Sequence, residues 1–198
     1  MNYRYLALGD SYTIGEGVEF HQNFPNQTAR LLAQQGLSVK PIVVAKTGWT
    51  TSELQAGIAA SALEEKYDIV SLLIGVNNQY RGEEPDVYAQ QFEELLNQSI
   101  RFASDNPANV FVLSIPDWSS TPYAEGRNRD QISKEIHSFN LINKRVAQQE
   151  KVNYIDITGS QRAVEDLSLV APDGLHPSEK EYRRWAEKLA QAIQKQLK

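Results

Sequence analysis

The sequence predicts an α/β fold in which helices cover both faces of a parallel sheet. Short β-rich runs alternate with longer segments of helical period, which is the pattern of repeated strand, helix and strand units. Four of the five β-rich runs are almost continuously apolar, as expected for strands that helices cover on both sides. The chain has 198 residues, of which 41% are hydrophobic and 23% charged, so we expect one globular domain over residues 1–198.

The predicted elements follow one another in a regular order. The strands are Tyr3–Leu8, Val39–Ala45, Ile69–Ile74, Val110–Ile115 and Val152–Ile155. Two crossover helices are indicated by apolar positions that recur at helical spacing, namely Val87, Phe92, Leu95, Leu96, Ile100 and Ala103 in one and Ile132, Ile136, Phe139, Asn143 and Val146 in the other. The irregular stretch from Pro116 to Gly126 is long enough to form a binding loop.

The last predicted helix has the best-defined start. Ser178 can cap its first turn, and Glu181 can reach back to the backbone of Ser178 to complete a capping box. Its buried face should comprise Tyr182, Trp185, Leu189 and Ile193.

Composition excludes several classes of function. The formal net charge of −5 provides no positive field for nucleic acid or an anionic membrane, and it favours a neutral or cationic substrate. The chain has no cysteine, which excludes disulfides, thiolate chemistry and cysteine-bound metals. Its N-terminus has no apolar run of signal-peptide length, and no run reaches the ~20 residues of a membrane span. We therefore expect a cytoplasmic protein, or a secreted one if a leader precedes this sequence.

Three predicted strands end in turns that carry candidate functional residues. Gly9-Asp10-Ser11-Tyr12 follows the first strand, Thr47-Gly48-Trp49 the second and Gly75-Val76-Asn77-Asn78 the third. In open α/β sheets, ligands bind beyond the carboxyl ends of the strands, near the point where strand order reverses. We therefore expect the three turns to open on one edge of the sheet.

Ser11 is the candidate nucleophile. A serine after a single glycine is more often structural, but Asp173-Gly174-Leu175-His176-Pro177 places a histidine three residues after an aspartate, across a flexible glycine. The carboxylate can then bend back onto the imidazole, fix its tautomer and stabilise the imidazolium that forms when His176 takes the serine proton. A nucleophile, a base and an orienting group are thus all present. The other histidines, His21 and His137, we interpret as surface residues.

Acyl transfer also needs donors for the oxyanion of the tetrahedral intermediate, because that charge is the largest electrostatic demand of the reaction. The backbone N–H groups of Ser11 and Gly48 and the side-chain amide of Asn77 can supply three donors. Taken singly, Gly48 and Asn77 would be interpreted as turn residues. Their positions at neighbouring strand ends favour an oxyanion hole.

These four segments together resemble the conserved blocks of the GDSL, or SGNH, hydrolases. The segment at residues 9–12 is similar to the first block, Gly48 to the second, residues 75–78 to the third and residues 173–177 to the last, in the family order. The resemblance implies a three-layer flavodoxin-like fold with a five-stranded parallel sheet of order 2-1-3-4-5. It also implies a catalytic set made up of Ser11, Gly48, Asn77 and His176, with Asp173 completing the triad.

The sequence departs from the family blocks at two positions, and two other motifs can be set aside. Tyr12 stands where leucine is common and Asn78 where the family usually has aspartate, which puts in doubt only a contact behind Asn77. The α/β-hydrolase elbow needs a glycine where Thr13 stands. Gly15-Glu16-Gly17 has an acid between its glycines and no following lysine, so it is not a phosphate-binding loop.

The predicted activity is hydrolysis of a small-molecule carboxylic ester through an acyl-enzyme on Ser11, for which no metal or organic cofactor is needed. The family contains lysophospholipases, thioesterases, arylesterases and carbohydrate acetylesterases, and no residue selects among them. Candidate cleft residues near the turns are Tyr12, Trp49, Tyr80, Arg81, Trp118, Tyr123 and Leu175. The alternatives are an acyltransferase with the same residues and a non-catalytic binding module on the same fold.

Overall fold

Five parallel strands form one sheet in the computed structural model, which describes residues 2–158 and 166–197. The strands are β1 (Asn2–Gly9), β2 (Ser38–Ala45), β3 (Ile69–Leu73), β4 (Val110–Leu113) and β5 (Asn153–Ile155). Their order is β2-β1-β3-β4-β5, which confirms the expected flavodoxin-like topology. Gly9 lies opposite Ala45 on one side and Leu73 on the other, so β1, β2 and β3 end at the same level.

Helices cover both faces of this sheet. They are α1 (Ser11–Ile14), α2 (Phe24–Ala33), α3 (Thr51–Ala60), α4 (Val76–Tyr80), α5 (Pro85–Phe102), α6 (Arg129–Gln149) and α7 (Glu179–Gln196). The chain moves from β1 to β2 in one direction along the sheet, and from β2 through β3 and β4 to β5 in the other. Crossovers between parallel strands are right-handed, so a change of direction places the connecting helices on the opposite face. Consequently α2 packs against α7 on one face, while α5 packs against α3 and α6 on the other.

The central strands are buried on both faces. Tyr5 to Leu8 of β1 and Ile69 to Leu73 of β3 are almost inaccessible to solvent, whereas the edge strand β2 remains partly exposed. This burial explains why the strands could be recognised from continuous apolar runs. No helix within residues 2–158 and 166–197 is long and apolar enough to cross a lipid bilayer.

All five predicted strands are present, with ends that differ by one or two residues. The prediction extended the fourth strand to Ile115, but β4 ends at Leu113. Both backbone groups of Ile115 bind the Asn140 side chain instead, the N–H donating to Oδ1 at 2.7 Å and the carbonyl accepting from Nδ2 at 2.9 Å. A side chain of α6 therefore ends this strand.

The last helix has one of the two hydrogen bonds of the predicted capping box, and the prediction of the other is wrong. The hydroxyl of Ser178 does accept from the N–H of Glu181, at 3.4 Å. The Glu181 carboxylate does not reach back, because it is buried and accepts from the indole N–H of Trp185 at 2.8 Å. The N–H of Ser178 donates to the carbonyl of Leu169 instead, at 2.9 Å.

Candidate active site

A cavity of about 160 Å³ opens at the carboxyl edge of the sheet. Its walls include Ser11, Gly48, Asn77 and His176, which come from three strand ends and the loop before α7. Since β1 and β3 are neighbours and β2 lies on the far side of β1, this is where strand order reverses. A larger cavity of about 540 Å³, beside α6 and the end of β5, contains none of these four residues in its lining.

Ser11 is the first residue of α1 and directly follows the turn after β1. N–H groups in the first turn of a helix have no acceptor within that helix. The N–H of Ser11 is one of these groups, and it donates to no acceptor in the part of the chain that the structure describes. The turn is so tight that a Cβ at Gly9 would lie 2.1 Å from Oγ1 of Thr13 and 2.4 Å from the carbonyl oxygen of Leu73. Only glycine allows this approach.

Asp10 caps α1 behind the serine. Its Oδ1 accepts from the N–H of Tyr12 at 3.0 Å, and the residue is fully buried. Burial raises the pKa of the Asp10 carboxyl to about 7, and the N–H of Tyr12 offsets only part of that shift. Over the described ranges, Oδ2 has no hydrogen-bond partner. Asp10 is outside the cavity lining, so its contact with α1 is structural.

The loop that carries His176 is fixed by contacts on several sides. Val170 and Pro177 form an antiparallel bridge, and the N–H of Ala171 donates to the carbonyl of His176 at 2.7 Å. The ring of Tyr12 lies 5.4 Å from the imidazole, centroid to centroid. As a result His176 is only 7% exposed although it lies in a loop.

Asp173 and His176 form a hydrogen-bonded pair. Nδ1 of His176 lies 2.6 Å from Oδ2 of Asp173, while Oδ1 accepts from the N–H groups of Leu175 and His176 at 2.9 and 3.0 Å. Partial burial acts to raise the pKa of Asp173, but the two N–H groups and the imidazole outweigh it and hold the pKa below its usual range. The carboxylate is therefore ionised at neutral pH and favours the tautomer with a proton on Nδ1 and a free Nε2.

Gly48 and Asn77 offer further donors to the cavity. Gly48 has a φ of +83°, and its N–H donates to no acceptor within residues 2–158 and 166–197. Arg81 holds this turn, because it donates to the carbonyl of Gly48 at 2.5 Å and pairs with Glu53 at 3.1 Å. Nδ2 of Asn77 donates to the carbonyl of Trp49 at 2.9 Å with one of its two hydrogens. The other hydrogen is available to a ligand.

Asn78, which replaces the usual aspartate, fits its surroundings as an amide. It is fully buried; its Oδ1 accepts from the N–H of Thr51 at 3.1 Å, and its Nδ2 donates to Oγ1 of Thr51 at 2.7 Å and to the carboxylate of Glu83. A carboxylate at this position could not donate and would face Glu83 as a like charge. Glu83 thus places a carboxylate against Asn78, the residue that follows Asn77.

The predicted cleft residues fall into two groups. Five of them line the cavity: Tyr12, Tyr80, Trp118, Tyr123 and Leu175. Two do not, because the ring of Trp49 packs against Gly57 and Arg81 binds the turn carbonyl described above. Thr47 and Val76 also line the cavity, although they were not predicted to do so. Their positions next to Gly48 and Asn77 are the sequence feature that could have indicated them.

One arginine that the sequence did not single out lies over the rim of the cavity. We call Tyr80, Trp118 and Tyr123 the aromatic rim. The guanidinium carbon of Arg127 lies 4.9 Å from the ring centroid of Tyr123, 5.4 Å from that of Tyr80 and 5.5 Å from that of Trp118. Its Nη2 donates to the hydroxyl of Tyr80 at 3.3 Å. Because Tyr80 is 47 positions away in the chain, local spacing does not indicate its contact with Arg127.

Comparison with known proteins identifies the family of this chain. Residues 7–184 match the GDSL-like lipase/acylhydrolase family. An arylesterase from Vibrio mimicus is 24% identical over 192 residues, which cover 97% of this chain and 88% of that protein. A lipase/acylhydrolase from Enterococcus faecalis has a similar structure, with a TM-score of 0.78 at 20% identity over 98% of this chain and 96% of the other. An acetylxylan esterase from Geobacillus stearothermophilus gives a TM-score of 0.73 at 18% identity, over 98% and 93% of the two chains. The chain therefore belongs to the GDSL-like lipase/acylhydrolase family and is a carboxylic ester hydrolase.

Proposed function

We propose that this protein hydrolyses its ester in two steps through an acyl-enzyme on Ser11. The observation that carries the proposal is that Ser11, His176 and the donors of Gly48 and Asn77 meet in one small cavity, with His176 already paired to Asp173. Each residue alone has a structural explanation. Folding does not require that they meet at the point where strand order reverses.

In the first step Ser11 attacks the ester carbonyl carbon while Nε2 of His176 takes the hydroxyl proton. The oxyanion then accepts from the N–H groups of Ser11 and Gly48 and from the amide of Asn77, none of which has to break an existing hydrogen bond. His176 protonates the departing alcohol. Water attacks the acyl-enzyme in the second step, with His176 again as base.

The dimensions of the cavity favour a short acyl group. Its volume of about 160 Å³ is below the roughly 300–1,000 Å³ of pockets that enclose drug-sized ligands. The aromatic rim provides faces on which a ring of the alcohol part can stack. Two of the similar proteins are named as an arylesterase and an acetylxylan esterase, and we extend to this chain the aryl or acetyl ester that those names describe.

Covalent trapping tests the nucleophile. A p-nitrophenyl alkylphosphonate transfers its phosphonyl group to an activated serine, so the intact mass is expected to rise by one phosphonyl group and peptide mapping to find it on Ser11. Ser138→Ala, which removes an exposed serine of α6, is the matched control and should be labelled fully. Labelling at any other residue of an active sample would contradict the proposal.

Asn77→Ala is expected to lower kcat by about 10²–10³ with little change in KM, because the oxyanion develops only in the transition state. Steady-state rates on p-nitrophenyl acetate measure this effect. The carbonyl of Trp49 also loses its donor, so thermal unfolding of the variant must be compared with that of the wild type. A loss below about tenfold would remove Asn77 from the oxyanion hole.

A further inference from the structure

We propose that Arg127 determines specificity, making the enzyme prefer esters whose alcohol part carries a negative charge. The proposal rests on the function proposed above and extends it to the charge of the substrate. Arg127 is exposed at the rim of the cavity and lies over all three rings of the aromatic rim. A substrate whose alcohol part extends past the rim would meet this cation.

Arg127 has donors that the described part of the chain leaves unused. In contrast to Arg4, Arg81, Arg183 and Arg184, it forms no ion pair with a carboxylate in residues 2–158 and 166–197. A guanidinium carries five N–H donors, and among the described residues the side chain of Arg127 uses one of them, toward Tyr80. Most of its hydrogen-bonding capacity therefore remains available to an anion.

The aromatic rim also preorganises this cation. A guanidinium stacked on aromatic faces is held by cation–π attraction, and its planar fork matches a carboxylate or phosphate. The backbone is fixed as well, because the N–H of Arg127 donates to the carbonyl of Ala124 at 3.1 Å and Arg129 donates to the carbonyl of Ser119 at 2.6 Å. These contacts reduce the conformational entropy that is lost when an anion binds.

The contacts of the rim indicate which half of the ester it faces. The N–H of Tyr123 donates to the carbonyl of Gly174 at 2.9 Å, so the rim lies against the loop that carries His176. His176 is the group proposed to protonate the departing alcohol, and the alcohol part must therefore lie on its side of the cavity. The net charge of −5 acts over longer distances, whereas Arg127 acts well within the Debye length of about 8–10 Å.

The test compares two aryl acetates that differ in charge, 4-acetoxybenzoate and its neutral methyl ester. In Arg127→Gln, the ratio of kcat/KM for the anionic ester to that for the neutral ester is expected to fall about three- to tenfold, as for a partly exposed charge-assisted hydrogen bond. The esters differ in intrinsic reactivity, but this difference cancels when the ratio of the variant is compared with that of the wild type, because both enzymes receive the same two esters. Added NaCl screens both Arg127 and the net negative charge, so the ratio of the wild type to the variant is the quantity compared, and it should fall as NaCl is added.

Two further variants complete the design. Arg127→Lys keeps the charge without the planar fork, so its ratio should lie between those of wild type and Arg127→Gln. Arg101→Gln removes an exposed arginine of α5 outside the cavity lining and should keep the wild-type ratio.

The outcomes separate the two proposals. An unchanged ratio in Arg127→Gln, or an equal loss on both esters, would overturn the assignment, since Arg127 would then only hold the rim. Full activity on the neutral ester would establish that this variant is folded. Failure of the proposed function would be seen independently, because Ser11→Ala would then hydrolyse both esters at the wild-type rate.

Discussion

Ser11→Ala is expected to reduce hydrolysis of p-nitrophenyl acetate by at least about 10⁴-fold. Without the hydroxyl oxygen no acyl-enzyme can form, and only the oxyanion donors and substrate binding would still act on the ester. Removal of one oxygen should leave the fold intact, because the backbone of α1 keeps its cap from Asp10. Release of p-nitrophenolate under excess substrate measures the loss.

Circular dichroism and the thermal unfolding midpoint provide the control for this variant, and both should match the wild type. Ser138→Ala, on the exposed side of α6, should retain the full rate. If Ser11→Ala hydrolysed the ester near the wild-type rate while folded, another group would be the nucleophile and the acyl-enzyme mechanism would be wrong.

Asp173→Asn is expected to lower kcat by about 10³–10⁴ while the fold persists. The N–H groups of Leu175 and His176 require an acceptor at the position of Oδ1, so the amide oxygen of the new side chain would lie there. Its NH₂ group would then face Nδ1 of His176, which must accept. That contact moves the imidazole proton to Nε2 and leaves no base for Ser11.

The pH profile distinguishes this tautomer effect from a loss of charge alone. The pKa of Asp173 is lowered in the folded protein, so its contribution to stability is present above the ordinary pKa of about 3.9 and is lost as pH falls through the lowered value. Asp173 is therefore ionised throughout the range from about pH 6 to 9, and its own titration should not change the defect of Asp173→Asn there. A loss below tenfold, or recovery at high pH, would contradict the role given to Asp173.

Much of the fold was predictable because strands that are buried on both faces form continuous apolar runs in the sequence. Four of the five strands were recognised from almost continuous apolar runs, and α5 and α6 from apolar positions at helical spacing. Strand ends were less predictable, since β4 ends where the side chain of Asn140 binds both backbone groups of Ile115. Glu181 likewise satisfied a local capping pattern, but the buried indole of Trp185 takes its carboxylate.

The candidate site divides in the same way. Asp173 and His176 are three residues apart, so a single turn brings them together and the spacing alone predicted their contact. Trp49 was predicted to lie in the cleft because it follows Gly48, but its ring turns toward Gly57. The position of Trp49 next to Gly48 indicated that its backbone lies near the site, but it did not indicate the direction of its side chain.

The sequence by itself therefore determined the five strands and the residues that surround their carboxyl ends, because strands, turns and the pairing of Asp173 with His176 depend on short-range spacing. Only the tertiary structure decided that Arg127 lies over Tyr80 and that Asn78 binds Thr51 beneath the site. These contacts join segments whose distance and side-chain orientation are set by the packing of α3, α4 and the loop between β4 and α6. The residues proposed for catalysis can therefore be recognised from local sequence patterns, whereas the shape and charge of the surface that a substrate contacts arise from tertiary packing.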